Sequence, residues 1–162
     1  MDNFIFQNPT KIFFGKNSIQ YLGDEIRKYG TKALVTSGGG SVRRMGLYDQ
    51  VLRILKDAGI QIFELDGIQA NPKMSSVYAG IEICHKEKID FILAVGGGSC
   101  IDGSKGIAAG ARQEGDAWEH FLKNENIEDA IPLGAILTLP ATGTEMNGNA
   151  VISNWDTLEK VP

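Results

Sequence analysis

FILAVGGGSCIDGSKGIAAG, residues 91–110, decides the fold. Five apolar residues run into three glycines, and a series of small side chains follows. An apolar run with no polar alternation is the pattern of a strand buried on both faces. The glycines make a tight turn, and Ser99 with Asp102 has the S-x-x-D spacing of a helix start. The reading is a strand over residues 90–95, a bare loop, and a helix over residues 99–111. The order recurs upstream, where ALVTSGGGSV (residues 33–42) places a second GGGS after a short buried strand at residues 32–36.

Working outward, three further helices are expected. Ile19, Leu22 and Ile26 sit at helical spacing over residues 17–29, ended by Gly30. Leu47, Val51, Ile54, Leu55 and Ala58 share one face over residues 47–58, stopped by Gly59. Val77, Ile81 and either Ile83 or Cys84 point inward over residues 72–86. Strands are expected at residues 60–65 and 133–139, and AVISN (residues 150–154) is strand-like. FIFQNPTKIFFG (residues 4–15) sets Phe4 and Phe6 against Ile12, Phe13 and Phe14 across the turn signal Asn8-Pro9, which reads as a hairpin. Alternation of this kind predicts an α/β, Rossmann-like parallel sheet with helices on both faces, preceded by an N-terminal β-hairpin.

Composition narrows the function. A chain of 162 residues makes one domain with a real core, and 43% hydrophobic with 22% charged residues is globular. A net charge of −4 argues against nucleic acid or an anionic membrane as partner. No apolar run reaches the ~18 residues of a membrane span. The start MDNFIFQNPT has no basic region of a signal peptide, so a cytoplasmic location is expected. The spacing of Cys84 and Cys100 fits no zinc or redox motif, and both are expected to be reduced and buried. His85 reads as a surface residue, and Trp118 and Phe121 as packing. With His85 and His120 alone, residues 1–162 hold no three-histidine metal site. The chain stops just after a completed strand, so it reads as one domain of a longer protein.

Ligands of open parallel sheets bind beyond the carboxyl ends of the strands, where both GGGS segments lie. Glycines let backbone N–H groups approach a ligand, and a helix start favours a phosphate. The standard dinucleotide fingerprint is absent: Ile101 and, upstream, Arg43 occupy the third glycine position. No Walker A motif closes either loop. Ser99 has two compatible readings, helix cap and phosphate contact. TSGGGSVRR carries no carboxylate to hold the ribose 2′-hydroxyl of NAD. Ser37, Ser41, Arg43 and Arg44 suit a 2′-phosphate, unless the arginines are simply solvated. NADP(H) is therefore expected ahead of NAD(H). LTLPATGTEMNGNAVISN (residues 137–154) should bring Thr138, Thr142, Thr144, Glu145 and Asn147 to the same crevice.

Together, GGGSCIDGSKGIAAG, LTLPATGTEMNGNAVISN and NPTKIFFG resemble the iron-dependent alcohol dehydrogenases, in the butanol-dehydrogenase-like branch. Cys100 and Gly103 fill that family's variable positions, and Thr144 stands where serine is usual. The resemblance implies a two-domain enzyme whose N-terminal half, residues 1–162, binds NAD(P)H. An all-helical second domain would hold a divalent metal, iron or zinc, through one aspartate and three histidines beyond residue 162. That metal would polarise the oxygen of a small-molecule alcohol or aldehyde during hydride transfer. By matching motif, Gly97, Gly98 and Ser99 would contact pyrophosphate, and Gly38, Gly39 and Ser41 would surround the adenosine ribose. Thr138 and Thr142 would line the adenine and pyrophosphate side. Asp102, Asn147 and Lys160 would lie toward the nicotinamide and its ribose, with Val151 packed near the ring. No catalytic residue is expected within the chain. A homodimer paired through the N-terminal hairpin is also implied. A stand-alone nucleotide-binding or regulatory module, or a glycerol-dehydrogenase-like polyol oxidoreductase, remain as alternatives.

Overall fold

In the computed structural model, Lys32–Ser37 (β1) lies between Gln61–Leu65 (β2) and Phe91–Gly96 (β3), and Leu133–Leu137 (β4) completes the sheet. All neighbouring pairs are parallel. The structure describes residue 5, residues 7–123 and residues 127–161. Successive side chains of a strand point to opposite faces. Here both faces are covered: Ala33, Val35, Phe91, Leu93 and Val95 pack on one side, and Leu34 and Ile92 on the other. That double burial explains the continuous apolar runs of β1 and β3.

The first face is covered by Leu22–Ile26 (α1) and Leu47–Asp57 (α3), through Ile26, Val51 and Leu55. The four-residue Ser41–Arg44 (α2) lies between them in sequence. The second face is covered by Met74–Glu87 (α4), Gly98–Gly110 (α5) and Ala117–Leu122 (α6), through Val77, Ile107 and Trp118. The small residues of α5 are explained by crowding. A Cβ placed on Gly80 of α4 would lie 2.4 Å from the Ile107 side chain, so the two helices approach at a glycine. Asp116 caps α6, accepting from the Trp118 N–H at 2.8 Å, and Trp118 is buried as packing.

Several expectations are corrected. The helix over residues 17–29 is a 3-10 turn, Ser18–Tyr21, followed by the short α1. Within α1, Gly23 allows close packing on the end of α3, since a Cβ there would lie 2.7 Å from the Ala58 Cβ. The expected N-terminal hairpin is not formed within the described residues. Phe4 and Phe6 lie outside them, and Ile12, Phe13 and Phe14 form no strand. Phe13 instead stacks on Tyr21 with ring centroids 5.4 Å apart. The strand expected in AVISN is formed over residues 152–154, outside the main sheet. Ile152–Asn154 (β5) pairs antiparallel with Glu159–Val161 (β6) as a separate ribbon. The Ser153 N–H donates to the Pro72 carbonyl at 2.9 Å and fixes this ribbon beside the start of α4.

Among the described residues, no helix is long and apolar enough to cross a membrane. Cys84 and Cys100 are both free and buried. Burial pushes the Cys84 thiol up to about 12 and raises that of Cys100 as well. A thiol is reactive as the thiolate. Neither cysteine should therefore react with a disulfide reagent at pH 8 in the native protein, and both should react in denaturant. Fast native-state labelling would contradict this packing.

Candidate functional site

Three loops leave the same edge of the sheet. Ser37 at the end of β1 is in register with Val95, and Gly96 at the end of β3 with Leu137. The Thr138 N–H donates to the Gly96 carbonyl at 3.0 Å, which extends the pairing into the loop after β4. The two GGGS segments and residues 138–149 thus stand side by side.

The helix α5 starts at Gly98 with Gly97 as its N-cap, and no side chain caps it. Ser99 is therefore a first-turn residue, and the S-x-x-D cap is not formed. A glycine cap needs no side-chain oxygen, because the loop backbone closes the turn: Cys100 and Ile101 N–H both donate to the Gly97 carbonyl, at 3.0 and 3.2 Å. The Gly98 and Ser99 N–H groups have no carbonyl earlier in the helix to meet, and they sit at its positive end. A Cβ on Gly97 would find nothing nearer than the Leu139 Cβ at 3.9 Å, so its surroundings are open. A Cβ on Gly98 would lie 2.7 Å from the Thr142 hydroxyl oxygen. Thr142 thus already takes the place of a side chain at position 98, and the room for an anion such as a pyrophosphate lies over the bare backbone beside Gly97.

The third loop is held by Lys105 on α5. Its ammonium donates to the Thr144 carbonyl at 2.6 Å, the Asn149 carbonyl at 2.7 Å, the Thr144 hydroxyl at 2.8 Å and Asn147 Oδ1 at 3.2 Å. The Thr144 hydroxyl in turn donates to Asp102 Oδ1 at 2.5 Å, and the Val151 N–H donates to Asp102 Oδ2 at 3.3 Å. Asp102 and Lys105, one helical turn apart, grip both ends of the loop. Burial lowers the basicity of Lys105, while the charges of Asp102 and Glu145 oppose that effect.

At the other end of the crevice stands Asp66, just beyond β2. It accepts from the Ser37 hydroxyl at 2.8 Å and from the Arg43 guanidinium at 2.5 Å. Arg43 also reaches Glu64 at 3.4 Å and lies 3.9 Å from the centroid of the Tyr48 ring. Arg43 holds the Asp66 carboxyl below the usual carboxylate range, against the opposing effect of burial.

Of the residues singled out from the sequence, Gly97, Gly98, Ser99, Thr138 and Thr142 come together at the start of α5. Asp102, Val151 and Asn147 come together around Lys105. Gly38, Gly39 and Ser41 sit in the neighbouring loop, with nothing within 4 Å of a Cβ placed on Gly39. The Asn147 side chain is engaged within its own loop, donating to the Gly143 carbonyl at 3.1 Å and accepting from the Asn149 N–H at 2.9 Å. Lys160 bonds Asn71 Oδ1 at 2.9 Å from the ribbon strand β6. Lys105 and Asp66 were given no role from the sequence. The signal for Lys105 was its i, i+3 spacing from Asp102 on a helix of small residues. For Asp66 it was a carboxylate placed directly after a strand.

Residues 9–162 match the model of the family described as iron-containing alcohol dehydrogenase. The chain belongs to that family. It is 52% identical over 160 residues to the probable NADH-dependent butanol dehydrogenase 2 of Bacillus subtilis, covering 99% of this chain and 41% of that protein. It is 44% identical over 164 residues to the NADPH-dependent aldehyde reductase YqhD of Escherichia coli, covering 99% and 41%. The crystal structure of NADH-dependent butanol dehydrogenase A from Thermotoga maritima superposes with a TM-score of 0.95 at 49% identity, covering 99% of this chain and 41% of that one. The chain thus spans about two fifths of the length of the curated relatives it matches.

Replacing Lys105 by Met leaves the loop's carbonyls and Asp102 without their cation. Lost hydrogen bonds to a charged group cost about 2 kcal/mol. Chemical denaturation of Lys105→Met should show a loss of that size, with faster hydrogen exchange confined to residues 143–151. Unchanged exchange there would contradict the clamp.

Proposed function

We propose that residues 1–162 are the dinucleotide-binding domain of an enzyme that moves hydride between a nicotinamide and a small-molecule alcohol or aldehyde. The observation that carries this reading is the bare start of α5, where no side chain caps the helix and a Cβ on Gly97 would meet nothing nearer than 3.9 Å. Family membership and the names of the relatives support it. The nicotinamide supplies the hydride chemistry when bound. The chain's own residues bind and orient. The Gly98 and Ser99 N–H groups meet the pyrophosphate with the helix's positive end behind them. Thr138 and Thr142 bound this space from above. Gly38, Gly39 and Ser41 take the adenosine ribose. Asp102, with Val151 and Asn147 held around Lys105, forms the wall toward the nicotinamide, and Lys160 is assigned to its ribose.

Among the described residues, no group of three or more His, Cys, Asp or Glu side chains could hold a metal ion. The divalent iron or zinc implied by the family is assigned to ligands beyond residue 162, and no step here passes through it. The sequence argument for NADP(H) over NAD(H) loses one of its two arginines, because Arg43 is already engaged by Asp66 and Glu64. Arg44 remains for a 2′-phosphate. A cytoplasmic location belongs to the same proposal. So does a homodimer in which the N-terminal segments pair, since Ile12 and Phe14 are 63% and 98% exposed. Analytical ultracentrifugation should find twice the chain mass at micromolar concentration. A single-chain mass would overturn the dimer.

Equilibrium titration with NADH, NADPH, ADP and ATP tests the cofactor reading. Both dinucleotides should bind more tightly than ATP. Gly98→Val should weaken dinucleotide binding by about tenfold, or 1.4 kcal/mol, by displacing Thr142 from the helix start. A preference for ATP would favour a stand-alone nucleotide-binding or regulatory module instead.

A further inference from the structure

We infer that Asp66 selects the adenosine ribose, favouring the 2′-hydroxyl of NAD(H) over the 2′-phosphate of NADP(H), and that Arg43 becomes a phosphate ligand only when Asp66 is removed. This inference rests on the dinucleotide reading and adds a specificity residue to it.

The placement comes from the sheet. Thr36 of β1 is in register with Leu65 of β2, so Asp66 is the first residue past the carboxyl end of the strand beside β1. The loop it enters is fastened to the first glycine loop, because the Ile68 N–H donates to the Ser37 carbonyl at 3.0 Å. The Ser37 hydroxyl also donates to Asp66 Oδ1 at 2.8 Å. Backbone and side chain are therefore both set against the residue that precedes Gly38. The first glycine loop is the one assigned to the adenosine ribose, so a carboxylate set against it stands within reach of the ribose hydroxyls, the contact by which dinucleotide sites select NAD.

The carboxylate still has acceptor capacity. Each oxygen carries two lone pairs. Ser37 and, at 3.4 Å, the Tyr48 hydroxyl use Oδ1, Arg43 uses Oδ2, and the side chain remains 51% exposed. A 2′-hydroxyl can donate to it. A 2′-phosphate is largely dianionic at neutral pH and brings like charge against Asp66, with Glu64 close behind. Arg43 does not reverse the choice as it stands. Its guanidinium bonds Asp66 and Glu64 and stacks on Tyr48, whose hydroxyl donates to Glu64 at 2.9 Å. To bind a phosphate it must leave two carboxylates and a ring face. Arg43 thus serves as the local neutraliser of Asp66, and removing Asp66 frees its guanidinium to join Arg44, whose Nη1 already lies 3.6 Å from a Cβ placed on Gly40. The names of the relatives show that both cofactors occur in this family at similar identity, so a local determinant is required.

The test is a fluorescence titration of the purified protein with NADH and NADPH at one ionic strength, using the unsubstituted protein, D66N and D66N/R43M. The unsubstituted protein should bind NADH at least about tenfold more tightly than NADPH. D66N keeps the side-chain shape and should improve NADPH binding by about tenfold or more. R43M in that background should remove the gain. D66S serves as a second variant if the Asn amide perturbs folding, which a circular dichroism melt reads. Preference for NADPH in the unsubstituted protein overturns the inference. So does an NADH to NADPH ratio in D66N within about twofold of the original. If both dinucleotides bind but the ratio does not move, this inference alone fails. If neither binds, the dinucleotide reading fails with it.

Discussion

The Lys105 ammonium shares its protons among four oxygens of a loop whose regular structure is a single 3-10 turn, Thr144–Met146. Backbone carbonyls in an irregular segment need partners as much as those in a helix do. Here a side chain supplies them from outside the loop. The arrangement resembles a bound cation with oxygen ligands, except that the charge is covalently fixed to α5. Holding it there costs desolvation, which appears as the lowered basicity of Lys105. Asp102 offsets that cost through the Thr144 hydroxyl, which bridges the two charges. The helix that offers its N-terminus to a ligand therefore also carries the two side chains that set the opposite wall.

That helix can do both because it is narrow. Gly103, Gly106 and Gly110 let α5 lie against its surroundings, and a Cβ on Gly106 would meet the Ile152 side chain at 2.4 Å. Beneath its first turn a small polar cluster is fully satisfied. The Ser104 hydroxyl donates to the Cys100 carbonyl at 2.7 Å and accepts from Thr36 at 2.6 Å. Buried polar groups with partners in place fix one packing among several possible ones. Thr36 lies in β1 and Ser104 in α5, so this cluster ties the strand of the first glycine loop to the helix of the second.

Much of this architecture was legible in the sequence, and the exceptions have physical reasons. β1 and β3 announced themselves because burial on both faces leaves no polar alternation. Helix α3 announced itself through one apolar face. β5 was legible in AVISN, but its partner β6 was hidden, because a three-residue strand of ordinary polar sequence carries too little pattern. The close approach of Gly23 to Ala58 is a tertiary contact that no local pattern records. Ser99 looked like a cap because its spacing was right, yet the glycine before Gly98 took that position. Within the site, the glycines and the threonines of the third loop were legible as residue types. Asp66 was not, since the carboxylate facing the first loop arrives from the neighbouring strand rather than from the loop itself. Nor was the pairing of Lys160 with Asn71, which depends on where the ribbon docks.

The register of the strands bears on how such a site can change over evolutionary time. β1 and β3 are buried on both faces, so a slip of one residue would exchange their two sets of side chains and misplace every one of them. The relative height of the two glycine loops therefore cannot be adjusted gradually. It can change by a two-residue step, about 6.6 Å along the strand, or remain where it is. A step of that size would carry Gly38 away from the helix start at Gly98. Divergence in what the crevice accepts is thereby channelled into side chains at the rim, while the spacing of the loops behaves as a fixed ruler.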